Sequence, residues 1–235
     1  MPVRALVFDV FGTVVDWRSG VMREIAAVAA ARGAPVDAGA MADAWRDRYE
    51  PAMAAVREGR RPWVKLDVLH RENLAAILGD FGLAGLAEAE IDDLALAWRR
   101  LDPWPDVLPG LARLKRRYAL ATLSNGNVAL MVEMARRAGL PWDAVLGAEP
   151  TRAYKPDPAC YLGTADMLGL APGDCMMVAA HPGDLVAAAA CGLATAYVPR
   201  PLEHGPGKGP DAPGPGQHFD VSAFDFEDLA RQMGC

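Results

Sequence analysis

The chain has no lysine- or arginine-rich block, no Cys-x-x-Cys pair, no apolar run long enough to cross a bilayer and no internal repeat. Each absence removes a class of function. A net charge of −6 with no basic stripe argues against a nucleic-acid partner. Runs far shorter than the roughly 20 apolar residues of a spanning helix argue against a membrane protein. The four cysteines, Cys160, Cys175, Cys191 and Cys235, lack the spacing of a zinc site or a disulfide framework and read as reduced thiols of a cytoplasmic protein. The opening MPVRALVFDV carries one basic residue and then a strand-length apolar run ending in Asp9. It lacks a signal peptide's long apolar region and cleavage site, so it reads as a first core strand.

What is present is ample material for a core, with 52% hydrophobic residues in 235. Short apolar runs at 4–8, 118–123, 175–180 and 193–198 read as buried strands. Turn or polar residues follow each, and in most cases a helical pattern comes next. SGVMREIAAVAAARG opens on Ser19 as a candidate N-cap and closes on Gly33, NVALMVEMARRAG closes on Gly139, and DLVAAAACG closes on Gly192. This alternation predicts an α/β fold with a parallel, Rossmann-like sheet and helices on both faces. Residues 17–99 read as helix after helix, including one over AGAMADAWRDRYEPAMAAVREG, and suggest an inserted α-helical cap domain. The core domain is then 1–16 and 100–235, re-entered through the proline-stiffened DPWPDVLPG. Residues 199–217 are mostly proline and glycine and read as a surface loop, with a last short strand and helix after it.

Ligands of an open parallel sheet bind beyond the carboxyl ends of its strands. Asp9 ends the first strand, Ser124 and Asn125 end the second, Lys155 and Tyr161 lie in YKPDPACY, and His181 and Asp184 lie in AAHPGD. Each has an ordinary structural explanation alone, but together they place a carboxylate, a hydroxyl, an amide, an amine and a second carboxylate on one crevice.

D-x-x-G-T from Asp9, S-N at 124–125, K-P-D at 155–157 and the late Asp184 occur in an order that resembles the haloacid dehalogenase superfamily over most of the chain. Most of that superfamily are phosphatases. These have a second Asp two residues after the first, which protonates the leaving oxygen, and they bind Mg²⁺ through the first Asp and a late acid. This chain has Phe11 at that place. Phenylalanine delivers no proton, and a halide, already a stable anion, needs none. The stretch FDVFGT is similar to the type II L-2-haloacid dehalogenase branch.

The resemblance implies a hydrolase of short 2-haloalkanoic acids, using only the haloacid and water, with no cofactor and no metal. Asp9 is the expected nucleophile, forming an ester that water then opens. Lys155 is expected to keep Asp9 ionised, Thr13 to support it, and Asp184 to pair with Lys155 and orient the water. Ser124 and backbone N–H groups at Phe11, Gly12 and Thr13 would hold the substrate carboxylate. Arg46 and Asn125 match the halide cradle, whereas Arg48 points elsewhere on the helix. Phe11 would supply an apolar wall; Trp63 is a second candidate for it, with lid packing the preferred reading. Tyr161 is a further candidate at the crevice. The fourth motif departs from the branch's usual S-x-N-x-x-D: Ala179 replaces Ser and His181 replaces Asn. His181 is read either as a water-polarising group or as a turn residue. His70, His204 and His218 carry no role. The resemblance suggests a homodimer. Three competitors remain: a phosphatase whose acid is His181, a hydrolase of another small electrophilic carboxylate such as a strained-ring amino acid, and a non-catalytic binder.

Overall fold

Ala5–Phe8 (β1) has every residue buried, which requires a covered sheet on both sides of the strand. The computed structural model describes residues 3–235. The other strands are Val15–Asp16 (β2), Asp102–Pro103 (β3), Ala119–Ser124 (β4), Ala144–Gly147 (β5), Cys175–Ala179 (β6), Ala194–Tyr197 (β7) and Val221–Ser222 (β8). Six of them form one sheet in the order β5-β4-β1-β6-β7-β8, with every neighbouring pair parallel. The chain builds outward from β1 to β4 and β5, then crosses back to β6 on the other side of β1. That reversal makes the carboxyl end of β1 the switch point at which α/β sheets bind ligands. The four apolar runs lie within a residue of their strands. β5 was not among them, because AVLG is a half-buried edge strand with too few apolar residues to stand out.

Residues 17–99 contain helices and no strand: Trp17–Arg32 (α1), Ala38–Asp47 (α2), Tyr49–Arg57 (α3), Leu66–Ala75 (α4) and Glu88–Ala95 (α5), with short 3₁₀ turns at Leu78–Phe81 and Leu96–Arg99. The chain leaves and returns through an antiparallel ribbon in which Val15 pairs with Pro103 and Asp16 with Asp102. Two local expectations are corrected. The N-cap of α1 is Asp16, whose carboxylate accepts the Ser19 N–H at 3.0 Å, so Ser19 lies inside the first turn. The expected single helix around Met41–Met53 breaks at Arg48 into α2 and α3. Pro51 explains the break: it has no N–H for the Asp47 carbonyl, and its ring crowds that carbonyl.

The remaining helices are Val107–Leu114 (α6), Val128–Ala138 (α7), Ala148–Thr151 (α8), Pro158–Met167 (α9), Pro182–Ala190 (α10) and Phe226–Gln232 (α11). Gly33 and Gly139 close α1 and α7 in left-handed conformations, as their positions predict. No helix among the described residues is long and apolar enough to cross a membrane. The four cysteines are unpaired.

An aromatic cluster joins the helical segment to the sheet. Trp98 stacks on His70 at 4.4 Å and on Trp17 at 5.9 Å between ring centres. Phe11 meets Trp98 edge-on at 5.7 Å. Phe11 is therefore also a peg by which the loop after β1 docks on the helices above it.

The 199–217 loop needs a larger correction. Most of it is exposed, but Arg200 and Glu203 are buried. Arg200 donates from Nε to the Thr13 carbonyl at 2.8 Å and from Nη1 to Asp106 at 2.7 Å. The loop is thus tied to the turn that follows Asp9.

Candidate active site

Asp9 extends the ladder one residue past β1 by donating its N–H to the Val178 carbonyl at 3.0 Å. The chain then turns sharply: the N–H groups of Val14 and Val15 both reach the Val10 carbonyl. Gly12 makes the turn at φ +85°, where a Cβ would lie 2.0 Å from a Glu203 carboxylate oxygen. Asp9 projects into a cavity of about 350 Å³ with Phe11, Arg46, Tyr49, Met53, Asn125, Lys155, Tyr161, His181 and Asp184 among its walls. α2 and α3 supply the roof and the strand ends supply the floor.

Both Asp9 oxygens are held. Oδ1 accepts from Lys155 Nζ at 2.9 Å. Oδ2 accepts from Thr13 Oγ at 2.7 Å and lies 3.0 Å from His181 Nδ1. The Thr13 hydroxyl is itself fixed by the Ala180 N–H at 2.8 Å. Lys155 also bonds Asp184 Oδ2, and Tyr161 donates to Asp184 Oδ1 at 2.6 Å. His181 Nε2 lies 2.9 Å from Glu203 Oε1. Acids and cations therefore alternate along one line: Asp184, Lys155, Asp9, His181, Glu203. Arg46 adds a further positive charge that acts on Glu203.

The ionisation of each group follows from this line. Burial by itself would raise the Asp9 carboxyl, but the Lys155 charge and the His181 hydrogen bond hold it well below the usual carboxylate range. Burial opposes the charge on Lys155, yet Asp184 and Asp9 push its ammonium above its ordinary value. Burial would discharge His181, but its bonds to Asp9 and Glu203 push it up to about 10. Burial and the nearby Asp9 charge raise Asp184 despite Lys155. At neutral pH the site holds an ionised Asp9 between two cations.

Secondary contacts set the loops. Asn125 Oδ1 accepts the Lys155 N–H at 2.8 Å, which moors the lysine loop to the end of β4. Pro182 starts α10 just after His181, so the imidazole faces Asp9 and Asp184 sits in the helix's first turn.

The expected residues divide into two groups. The structure brings Asp9, Phe11, Arg46, Asn125, Lys155, Tyr161, His181 and Asp184 to one cavity, with Thr13 directly behind Asp9. Three others do not line that cavity. Ser124 is buried with its Oγ accepting the Gly126 N–H at 3.1 Å. The Gly12 N–H is already donated to the Val15 carbonyl at 3.1 Å and is not a free donor. Trp63 packs on Tyr154 at 4.6 Å, under the Arg152 guanidinium, so it is lid packing rather than a wall of the cavity. Arg46 stands 4.1 Å over the Tyr49 ring, and its buried Nη1 has no partner. Arg48 is exposed. Sequence reasoning missed Glu203, Tyr49 and Met53. The only signal for Glu203 was the obligatory gap at Gly12.

A divalent cation does not fit this arrangement. One oxygen of each of Asp9 and Asp184 already faces Lys155 Nζ, and Phe11 offers no ligand. Among the described residues no three His, Cys, Asp or Glu side chains converge as a metal site.

A family model described as haloacid dehalogenase-like hydrolase matches residues 3–192. The chain is 32% identical over 204 residues to the (S)-2-haloacid dehalogenase of Xanthobacter autotrophicus, covering 84% of this chain and 76% of that protein. It is 31% identical to (S)-2-haloacid dehalogenase 4A of Burkholderia cepacia, covering 84% of each. Among solved structures, a defluorinating L-2-haloacid dehalogenase superposes with a TM-score of 0.96 at 51% identity, over 99% of this chain and 96% of that one. The Xanthobacter autotrophicus L-2-haloacid dehalogenase with chloropropionic acid covalently bound superposes with a TM-score of 0.82 at 27% identity, over 97% of each chain.

Proposed function

Because the chain belongs to the haloacid dehalogenase-like hydrolase family and is a hydrolase of carbon–halide bonds, we propose that it converts short 2-haloalkanoic acids to 2-hydroxy acids through an ester on Asp9. The observation that carries this reading is the cavity itself. It sets an ionised carboxylate and an unpartnered buried guanidinium nitrogen around one space, with an aromatic ring where a proton donor would stand. Asp9 Oδ1 attacks the halogen-bearing carbon from behind, and the carbon–halogen bond breaks with its electron pair leaving on the halide. Arg46 Nη1 supplies the missing donor for that anion. Lys155 offsets the repulsion between Asp9 and an anionic substrate. Among the backbone donors expected for the substrate carboxylate, the Phe11 and Thr13 N–H groups have no hydrogen-bond partner among the described residues.

Water then attacks Cγ of the ester. One of its protons passes to Asp184, and the bond from Cγ to Oδ1 breaks, so Oδ1 leaves as the product's hydroxyl oxygen. Asp184 returns its proton to that alkoxide. The second proton is released when Asp9 ionises again. A phosphatase using His181 as its acid fits less well, because both ring nitrogens face carboxylates.

The deciding experiment measures halide release from both 2-chloropropionate enantiomers, chloroacetate and fluoroacetate, with p-nitrophenyl phosphate as the phosphatase control. Fluoroacetate belongs in the set because a relative at 51% identity is a defluorinating enzyme. Halide release that is unaffected by EDTA, with no phosphatase activity, is expected; the reverse pattern refutes the reading. In ¹⁸O water, a single turnover places the label in Asp9 rather than in the product.

Asp184→Asn removes the proton acceptor of the second step but leaves the Asp9 nucleophile. Ester hydrolysis is expected to slow by about 10²- to 10⁴-fold, the range of a positioned general base. Intact mass spectrometry then shows the chain carrying the carboxyalkyl group. A variant that turns over normally removes Asp184 from the mechanism.

A further inference from the structure

Glu203 comes from the proline- and glycine-rich loop, where an acid is ordinarily solvated, yet it is only 2% exposed. Its Oε1 accepts the Trp17 Nε1–H at 3.1 Å and lies 2.9 Å from His181 Nε2. The missing side chain of Gly12 leaves the space that this carboxylate fills. His181 therefore has a carboxylate against each ring nitrogen. Ionised carboxylates only accept hydrogen bonds, and a neutral imidazole has one N–H. Both contacts are satisfied together only by the imidazolium.

We propose that Glu203 is a positioning residue that keeps His181 as an imidazolium throughout turnover. The His181 Nδ1–H and the Thr13 hydroxyl then form the donor pair for the oxyanion that develops on Asp9 Oδ2 during ester hydrolysis. This rests on the aspartyl-ester reading above. The two Asp9 oxygens are divided accordingly. Oδ1 faces Lys155 and is the oxygen that attacks. Oδ2 already sits 2.7 Å from Thr13 Oγ and 3.0 Å from His181 Nδ1, where an oxyanion needs its donors.

The need for Glu203 follows from how charge changes in the cycle. Before alkylation, Asp9 and Glu203 both hold the His181 proton. The ester is neutral, so Asp9 stops holding it, and only Glu203 remains. Water attack then draws an electron pair from the Cγ–Oδ2 double bond onto Oδ2. His181 shares its Nδ1 proton with that oxygen without giving it up, and the pair returns when the Cγ–Oδ1 bond breaks. No net proton passes through His181. The other charged and titratable groups near this pair are Lys155 and Asp184 beyond Asp9, Arg46 in the cavity roof, and His204, 4.0 Å from Glu203.

The test separates the two half-reactions in Glu203→Gln. Rapid-quench mass spectrometry with 2-chloropropionate measures ester formation and ester hydrolysis from pH 5.5 to 9.5. Ester formation is expected to stay within a few-fold of the unaltered protein. Ester hydrolysis in the variant should fall about tenfold per pH unit above an ordinary histidine value of about 6.5, reaching about 100-fold at pH 8.5. In the unaltered protein the decline should begin at a higher pH than in the variant, because Glu203 still holds the imidazolium in the ester. Equal pH dependence in the two proteins, or equal loss of both half-reactions, overturns the proposal. In a His181→Asn background, adding Glu203→Gln should no longer change the pH dependence; a shift there overturns it as well. ¹⁵N NMR of His181 gives a reading without substrate. Both ring nitrogens should stay protonated to about pH 9, and in Glu203→Gln they should titrate at lower pH. A neutral His181 at pH 7.5 in the unaltered protein sinks this inference while leaving the aspartyl ester standing. Absence of ester from any haloacid sinks the ester reading and leaves the NMR result to judge the clamp.

Discussion

Asp9→Asn abolishes halide release, with an expected loss on the order of 10⁵-fold, the scale seen when a covalent nucleophile is removed. The amide keeps the size and shape of the side chain but carries no charge and attacks carbon poorly. The fold should not suffer in proportion. Along the site's charge line, the unaltered protein buries three carboxylates, Asp9, Asp184 and Glu203, against two cations, Lys155 and His181. With Asn at position 9 the line becomes two against two, and each cation keeps one acid. Each cation nevertheless loses one of its two acids, and the depressed Asp9 carboxyl contributes stability when ionised, so the melting temperature is expected to fall, by about 2–4 °C for each kcal/mol lost. A loss of activity far larger than the loss of stability is the mark of a residue kept for chemistry. Calorimetry beside a halide assay checks both. Residual halide release above about 1% of the unaltered rate removes Asp9 as nucleophile.

How much of this site was legible in the sequence depended on how each residue is placed. Asp9, Asn125, His181 and Asp184 follow strand ends, and strand ends show as apolar runs punctuated by polar residues. The topology of a parallel sheet then brings them together. Lys155 was legible through its motif. Glu203 sits in a stretch whose composition says only that it builds no core. Its contacts are with residues far away in the chain, and no periodicity reports such contacts. Ser124 and Gly12 show a different limit. Their positions beside the crevice were right, but residue type does not reveal that Ser124 is buried outside the cavity wall, its Oγ accepting the Gly126 N–H, or that the Gly12 N–H is already given to Val15. The break of the expected helix at Arg48 had a visible cause in Pro51, and the helical spacing of Met41, Trp45 and Met53 outweighed it. By residue type Phe11 bears on the leaving group, since it delivers no proton. Its edge-on contact with Trp98 adds a mechanical role as the contact between the nucleophile turn and the helical segment.

Lys155→Met is expected to damage activity and to cost more stability than Asp9→Asn, because it leaves two buried acids without the cation between them. The methionine fills a similar volume but removes the charge between Asp9 and Asp184. Two buried carboxylates then face each other, and breaking a buried pair in this way typically costs about 3–5 kcal/mol. For a chain of this size that lowers the melting temperature by roughly 10 °C. The loss should depend on pH in a defined direction. In the unaltered protein, Lys155 has a raised value, so its contribution is complete below about 10.5 and lost only as strongly alkaline pH passes the folded value. His181 contributes fully below about 6.5 and loses its contribution as pH rises through about 10. Asp9, held low, contributes above its unfolded value of about 3.8 and loses that contribution only as strong acid reaches its folded value. In the methionine variant, the repulsion raises the carboxyl that shares the site, and an acid with a raised value is destabilising once pH exceeds its unfolded value. The stability gap between variant and unaltered protein should therefore widen from pH 5 to pH 8. Ester formation should be slow at both, because the remaining cation beside Asp9 binds Oδ2 rather than the attacking oxygen. A gap that narrows toward pH 8 would show that Lys155 does not neutralise this pair.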